Sequence, residues 1–342
     1  MRFSFSARPA DDVATTVATI QFAESLGFHG AWYPDQTFFR EVFSVLAVCA
    51  GATRRLTLGA AVVNPYTRHP AVIARGAATV SEIARGRFRL VLGAGNRGEL
   101  LTPLGIQQHE PAVRLAEAAT VIRRLLAGET VQFDGRTVRV QGAALDFQAR
   151  YPLPVLFAGR GPRVLEAAGA VADGVVIGAL VSPEGLQYAL RHVRMGAERA
   201  GRRLDEFQII SWATWVPGRG IHEAVDAIRP AIAHIVGGAP PEVLRAIEPD
   251  QTLIARIKAR YWEGGAAEAA ADVTDDLARK LALLGSAEDC AQAVARLEAA
   301  GVDEVAILLP GRGTHGGAVT PPEEQRRLLR AFAETVTPRF GS

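Results

Sequence analysis

Lysine is almost missing from this chain: of its 38 basic residues, only Lys258 and Lys280 are not arginine. Any anion site must therefore be built from guanidinium groups or backbone N–H groups. Cysteine is equally scarce, and Cys49 and Cys290 sit far apart in apolar-periodic segments. That placement fits buried, reduced thiols and excludes a disulfide framework. A charge excess is lacking too, since the formal net charge is +2 and no Lys/Arg-rich run is interleaved with aromatics. Nucleic acid and membrane surfaces are thereby excluded as partners, leaving a small-molecule substrate. No uninterrupted apolar stretch reaches the roughly 18 residues of a membrane span. The opening Met1-Arg-Phe-Ser-Phe-Ser turns polar too soon for a signal segment, so the expected compartment is the cytoplasm. The histidines lack metal-ligand spacing and there is no Gly-x-Ser-x-Gly elbow, which leaves neither a metal site nor an esterase-type nucleophile to expect.

What is present is a repeated rhythm of short β-branched runs, turns and longer amphipathic segments, at 49% hydrophobic and 22% charged residues, which excludes disorder. Such alternation calls for parallel strands with helical crossovers. Expected strands are Phe3 to Ser6, Gly30 to Tyr33, Leu56 to Val63, Phe88 to Leu92, Val155 to Ala158, Gly174 to Ile177, Gln208 to Ala213 and Glu304 to Leu309. Eight strands make a (β/α)8 TIM barrel, which can occupy a chain of this length as one domain over residues 1–342. A doubly wound open sheet is the competing fold, but Ala7-Arg8-Pro9 is not the glycine-rich turn it needs after its first strand. Two insertions break the rhythm. Residues 129–147 read as a hairpin around Asp134-Gly135 before strand five, and residues 237–276 as a helical lid before strand eight.

Barrel enzymes carry their chemistry at the C-terminal ends of the strands. Those ends read Pro34-Asp35-Gln36 after strand two, Asn64-Pro-Tyr-Thr-Arg-His-Pro70 after strand three, Gly93-Ala-Gly-Asn96-Arg-Gly-Glu99 after strand four and Gly159-Arg160-Gly161-Pro162 after strand five. The last can cradle a phosphate, because glycines allow close backbone approach, Pro162 suits a first helical turn and Arg160 adds charge. It can equally be a plain strand-to-helix turn. Asp35, in apolar surroundings, reads as a proton donor or as a turn-capping carboxylate. His69 reads as a structural or cofactor-orienting residue at a helix start. Trp32, Trp212 and Trp215 read as walls for a flat ring or as core.

The segments Ala61-Val-Val-Asn-Pro-Tyr-Thr-Arg-His-Pro70, Gly86-Arg-Phe with Leu92-Gly-Ala-Gly95, and Pro154-Val-Leu-Phe-Ala-Gly-Arg-Gly-Pro162 leading to Ala172-Asp-Gly174 resemble the luciferase-like monooxygenase superfamily. Within it the chain is most similar to the methylenetetrahydromethanopterin reductase-like branch, which uses the deazaflavin coenzyme F420; other relatives use FMN. The resemblance implies a non-proline cis peptide at Ala61–Val62 forming a bulge against the cofactor ring. It implies a cofactor-binding set of Ala61, Val62, Asn64, Asn96, Ala158, Gly159, Arg160, Gly161 and Pro162, with the phosphate on 159–161. Asp35 or Glu99 would supply the proton that accompanies hydride transfer between deazaflavin C5 and a C=N, C=C or carbonyl carbon. Three positions depart from relatives. Gln36 and Asn96 replace the His and Glu of sugar-phosphate dehydrogenases, and Ser6 stands where the pterin reductases have an acidic residue. The alternatives are an FMN-dependent monooxygenase and a non-catalytic flavin-binding barrel, and pairing into a homodimer stays open.

Overall fold

The computed structural model describes residues 1–7, 10–36, 38–96, 101–309 and 320–341. Its strands are β1 (Arg2–Ser6), β2 (Gly30–Tyr33), β3 (Thr57–Val63), β4 (Phe88–Gly93), β5 (Val131–Asp134), β6 (Arg139–Ala143), β7 (Val155–Ala158), β8 (Gly174–Gly178), β9 (Gln208–Pro217), β10 (Ala282–Gly285) and β11 (Glu304–Leu308). Eight of them close a parallel TIM barrel in the order β1-β2-β3-β4-β7-β8-β9-β11, with β11 returning to β1. All eight expected strands are present, each within a few residues of its expected ends. The antiparallel pair β5–β6 is the expected hairpin.

Helices α1 (Val13–Ser25), α2 (Val42–Ala52), α3 (Pro70–Ile83), α4 (Pro111–Leu126), α5 (Pro162–Val171) and α6 (Pro183–Arg199) make the first crossovers. Then α7 (Ile221–Asp226), α8 (Arg229–Gly238), α9 (Pro241–Ile247), α10 (Gln251–Ala269) and α11 (Asp275–Leu281) precede β10, α12 (Ala287–Ala299) leads to β11, and α13 (Pro322–Thr335) follows. Two differences from the sequence reading matter. The helical insertion begins at Ile221 rather than residue 237, and it ends in a ninth strand, β10, which pairs outside the ring with Thr214–Pro217 of an unusually long β9. Inside the insertion, Gly264 and Gly265 lie within α10 at a break where Gly265 takes φ 84°.

Strand alternation sends one set of side chains inward. At the floor, fully buried Glu304 accepts hydrogen bonds from Ser4 Oγ at 2.6 Å, Trp32 Nε1 at 3.1 Å and Arg89 Nη1 at 3.0 Å. Above it the Trp32 ring lies on Gly59, where a Cβ would fall 2.1 Å from the indole. Val91, Leu156, Val176, Ile210 and Ala306 fill the middle. The barrel is thus sealed below and can open only at its C-terminal end.

Surface loops are held by carboxylates that accept backbone N–H groups. Glu24 binds the N–H groups of Arg54, Arg55 and Leu56, and Glu117 binds those of Arg136, Thr137 and Val138 in the hairpin turn. Burial works to raise both pKa values and is outweighed by these donors, so both lie below the ordinary carboxylate value. A folded pKa below the unfolded one contributes stability that is present above about pH 4.3 and is lost as pH falls through the folded value. Glu117→Gln should therefore lower the melting temperature at neutral pH, and the gap to the parent should shrink as pH falls below about 4.3. Melting curves giving a constant gap from pH 7 to pH 3 would contradict this linkage.

Candidate active site

The mouth is shaped first by a backbone irregularity. The Ala61–Val62 peptide is cis, as the resemblance implies, and β3 shifts register against β4 between Ala61 and Val63. Val62 is pushed inward there. Gly93 at the end of β4 makes room for it, because a Cβ would meet the Val62 side chain at 2.8 Å. Asn64 follows, 1% exposed, and its Oδ1 accepts from the N–H groups of Tyr66 and Thr67 and from Thr67 Oγ1. That turn explains an asparagine here: its carbonyl replaces the backbone partners a tight loop lacks.

Across the mouth, β7 ends in Ala158 and the chain turns through Gly159-Arg160-Gly161 into α5. Gly159 has no room for a Cβ, which would fall 2.6 Å from Val164 Cγ1. Gly161 is the N-cap of α5 and contributes no side-chain hydrogen bond, and Pro162 occupies the first turn. Free N–H groups at a helix start carry partial positive charge and seek an external acceptor. Beside them Arg160 keeps part of its surface in solvent, but its Nη1 is sealed off and has no hydrogen-bond partner among the described residues. Burial pushes its pKa down. Pro240, ahead of α9, comes within 3.7 Å of where a Gly161 Cβ would stand, so the helical insertion leans on this turn.

Asp35, 6% exposed at the end of β2, is half of an ion pair. Arg68 donates Nε to Oδ2 at 2.9 Å and Nη2 to Oδ1 at 3.1 Å, and the same Nη2 reaches Glu41 Oε1 at 3.1 Å. Hydrogen bonding to Asp35 raises the Arg68 pKa against the effect of burial. Glu41 in turn caps α2, accepting from Phe43 and Ser44, so Arg68 ties the loops after β2 and β3 together. His69 caps α3 by accepting the Ala71 N–H, and its Nε2 lies 3.3 Å from the Arg139 carbonyl of the hairpin.

Ala61, Val62, Asn64 and Asp35 thus lie on one side of the mouth, and Ala158 to Pro162 on the other. Asn96 is exposed in the loop after β4. Glu99 lies outside the described residues. Trp32 and Trp212 point into the barrel, whereas Trp215 packs outward, its ring 5.1 Å from Phe332. Two further residues stand at these strand ends: Arg68, the partner of Asp35 33 residues away, for which the sequence left open a pairing with a buried carboxylate or a place facing the ligand, and Gly178 at the end of β8, which the sequence reading did not single out. Only the glycine that closes the β-branched run Val175-Val-Ile hinted at the second. Among the described residues no cluster of His, Cys, Asp and Glu could hold a metal, and no helix is long and apolar enough to cross a membrane.

Known proteins share this architecture. The family described as luciferase-like monooxygenase matches residues 2–304. A 5,10-methylenetetrahydromethanopterin reductase from Methanolobus tindarius is 32% identical over 311 residues, covering 91% of this chain and 94% of the relative. One from Archaeoglobus fulgidus is 31% identical over 325 residues, covering 94% of each. The solved coenzyme F420-dependent tetrahydromethanopterin reductase of Methanopyrus kandleri superposes with a TM-score of 0.83 at 25% identity, covering 99% of both chains.

Proposed function

Because the chain belongs to the luciferase-like monooxygenase family, we propose that it is a coenzyme F420-dependent oxidoreductase acting on a C=N, C=C or carbonyl carbon of a small organic substrate. The observation that carries this reading is the Arg160 guanidinium, whose buried Nη1 has no hydrogen-bond partner among the described residues, beside an α5 start whose N-cap is glycine. Burying an unpaired charge costs several kcal/mol unless a counter-ion arrives, and a phosphate supplies one. The turn therefore fits the anionic tail of the cofactor, held by Arg160, the backbone of Gly159 and Gly161, and the first turn of α5 after Pro162. Ala61 and Val62 back the ring at the bulge, with Ala158, Asn64 and Asn96 around its edge.

Bound there, the cofactor supplies reversible two-electron hydride transfer at C5. The protein holds cofactor and substrate face to face and excludes water. The accompanying proton is assigned to Asp35 or Glu99. Both Asp35 oxygens accept from Arg68, so donation from Asp35 requires that pair to open first.

The competing reading, an FMN-dependent monooxygenase, differs in the ligand the mouth prefers. F420 carries a long polyanionic glutamyl tail and FMN a compact phosphate. Exposed Arg163 joins Arg160 at the start of α5. Arg191 and Arg194 stand about 12 Å and about 16 Å along α6 from its start at Pro183. Their share is correspondingly small. The expected result is tighter binding of polyglutamylated F420 than of FMN, with the advantage narrowing from about 0.05 M to about 0.5 M salt as exposed charges are screened. Fluorescence titration with both cofactors tests this, and preferential FMN binding would move the assignment to the monooxygenase.

A further inference from the structure

Gly178 closes β8, and neither backbone conformation nor packing asks for a glycine there. Its φ is not among the positive values that favour glycine. Val175 and Ile177 pack outward in the main core while Val176 points into the barrel, so alternation turns position 178 inward at the C-terminal end. At the inward glycines Gly59 and Gly93 packing forbids a side chain, since a Cβ would fall 2.1 Å from Trp32 and 2.8 Å from Val62. At Gly178 a Cβ would meet none of the described residues within 4 Å. A strand gains propensity from almost any side chain, so an inward glycine with room to spare points to a space kept for something else.

The surroundings describe that space. Gly178 pairs in register with Trp212, whose indole points inward, packs against the interior cluster together with Val62 and Ala158, and has an Nε1 without a hydrogen-bond partner among the described residues. The next residue, Ala179, takes φ 53°, a left-handed conformation that non-glycine residues rarely adopt, and its N–H binds the Trp212 carbonyl at 2.9 Å. This bend carries the chain outward, where the Val181 N–H meets the Lys280 carbonyl beneath the insertion. No bulk after Gly178 returns to the mouth from this strand.

We infer that Gly178 keeps open a slot, walled by Trp212, Ala158 and the Val62 bulge, that receives the edge of a flat heteroaromatic ring, and that the absent side chain sets which ligands enter. The inference rests on the proposed cofactor site and adds to it a specificity-determining position on β8. A flat ring stacks on an indole face, whereas a branched side chain at 178 would occupy the space that the glycine leaves open.

The test is a series at one position, Gly178→Ala and Gly178→Val, read by melting temperature and by equilibrium titration with F420 and FMN. Both variants should melt at or above the parent temperature, because no protein atom is displaced. Gly178→Val should weaken binding of the preferred cofactor by about tenfold to hundredfold, the range set by overpacking a filled site, and Gly178→Ala should fall between it and the parent. Parental affinity in the valine variant would overturn the slot, and so would a lower melting temperature in the alanine variant, because the space would then already belong to the protein. If the unaltered protein takes FMN and refuses F420, the cofactor reading fails, and the same variants decide the slot with FMN: weakened binding supports it and parental binding overturns it. Refusal of both cofactors by the unaltered protein overturns both proposals.

Discussion

Exchanging Arg160 for glutamate should weaken F420 binding by well over tenfold while leaving a folded protein. A charge-assisted hydrogen bond is worth about 1.5 to 3 kcal/mol, which alone corresponds to about tenfold to more than a hundredfold in affinity. Glutamate adds repulsion between like charges where the sealed Nη1 now sits. The more telling variant is Arg160→Met, which keeps the length and apolar stem of the side chain. The guanidinium is a burden on the fold, because burial depresses its pKa and its Nη1 has no partner among the described residues. Methionine should therefore hold or raise the melting temperature while lowering cofactor affinity, the opposed signature of a residue kept for binding rather than for folding. A melting temperature that falls with unchanged affinity would mean that Arg160 is structural and the phosphate lies elsewhere.

Much of this site could be read from the sequence because a parallel barrel makes position along a strand informative. Once the β-branched runs were recognised, Asp35, Asn64 and the Gly159-Arg-Gly161 turn fell at strand ends without further information. Recognition failed where local pattern and tertiary role diverge. Strand β10 is Ala282-Leu-Leu-Gly285, four residues continuous with α11, and the spacing of Leu277, Leu281 and Leu284 extends the helical period straight through it. The insertion was placed too late because Gly237-Gly-Ala-Pro-Pro241 looks like its start, although that segment lies at the junction of α8 and α9 inside it. For Arg68 the sequence left open a carboxylate partner or a place facing the ligand, because the loops that carry it and Asp35 meet only after β2 and β3 are laid side by side. Glycines were the hardest residues to interpret. Gly59, Gly93, Gly178 and Gly169 look alike in sequence, yet one supports an indole, one a bulge, one an open space and one the backbone of a neighbouring helix.

The last of these sets the position of the Gly159-Arg160-Gly161 turn proposed to hold the phosphate. A Cβ on Gly169 of α5 would fall 1.9 Å from the Val193 carbonyl oxygen of α6, and one on Gly196 of α6 would fall 1.9 Å from the Glu166 carbonyl oxygen of α5. The two backbones are in direct contact at both points, and backbone cannot rotate aside as a flexible side chain can. Gly169 lies about two turns from Gly161, so the height at which α5 meets α6 fixes where its first N–H groups and Arg160 face the mouth. Gly169→Ala or Gly196→Ala should force the helices apart and destabilise the fold by about 3 kcal/mol or more, at or beyond the upper end of ordinary overpacking. Melting should fall by roughly 5 °C or more. Cofactor affinity should fall with it, because the cradle moves with the helix. Gly51→Ala supplies the contrast: this glycine lies exposed in α2 with nothing within 4 Å of its Cβ position. There alanine should stabilise by roughly 0.5 kcal/mol through helix propensity and should leave binding untouched. If all three alanine variants melt alike, the close approach of α5 and α6 is absent in solution, and the placement of the phosphate turn must come from the insertion that leans on Gly161 instead.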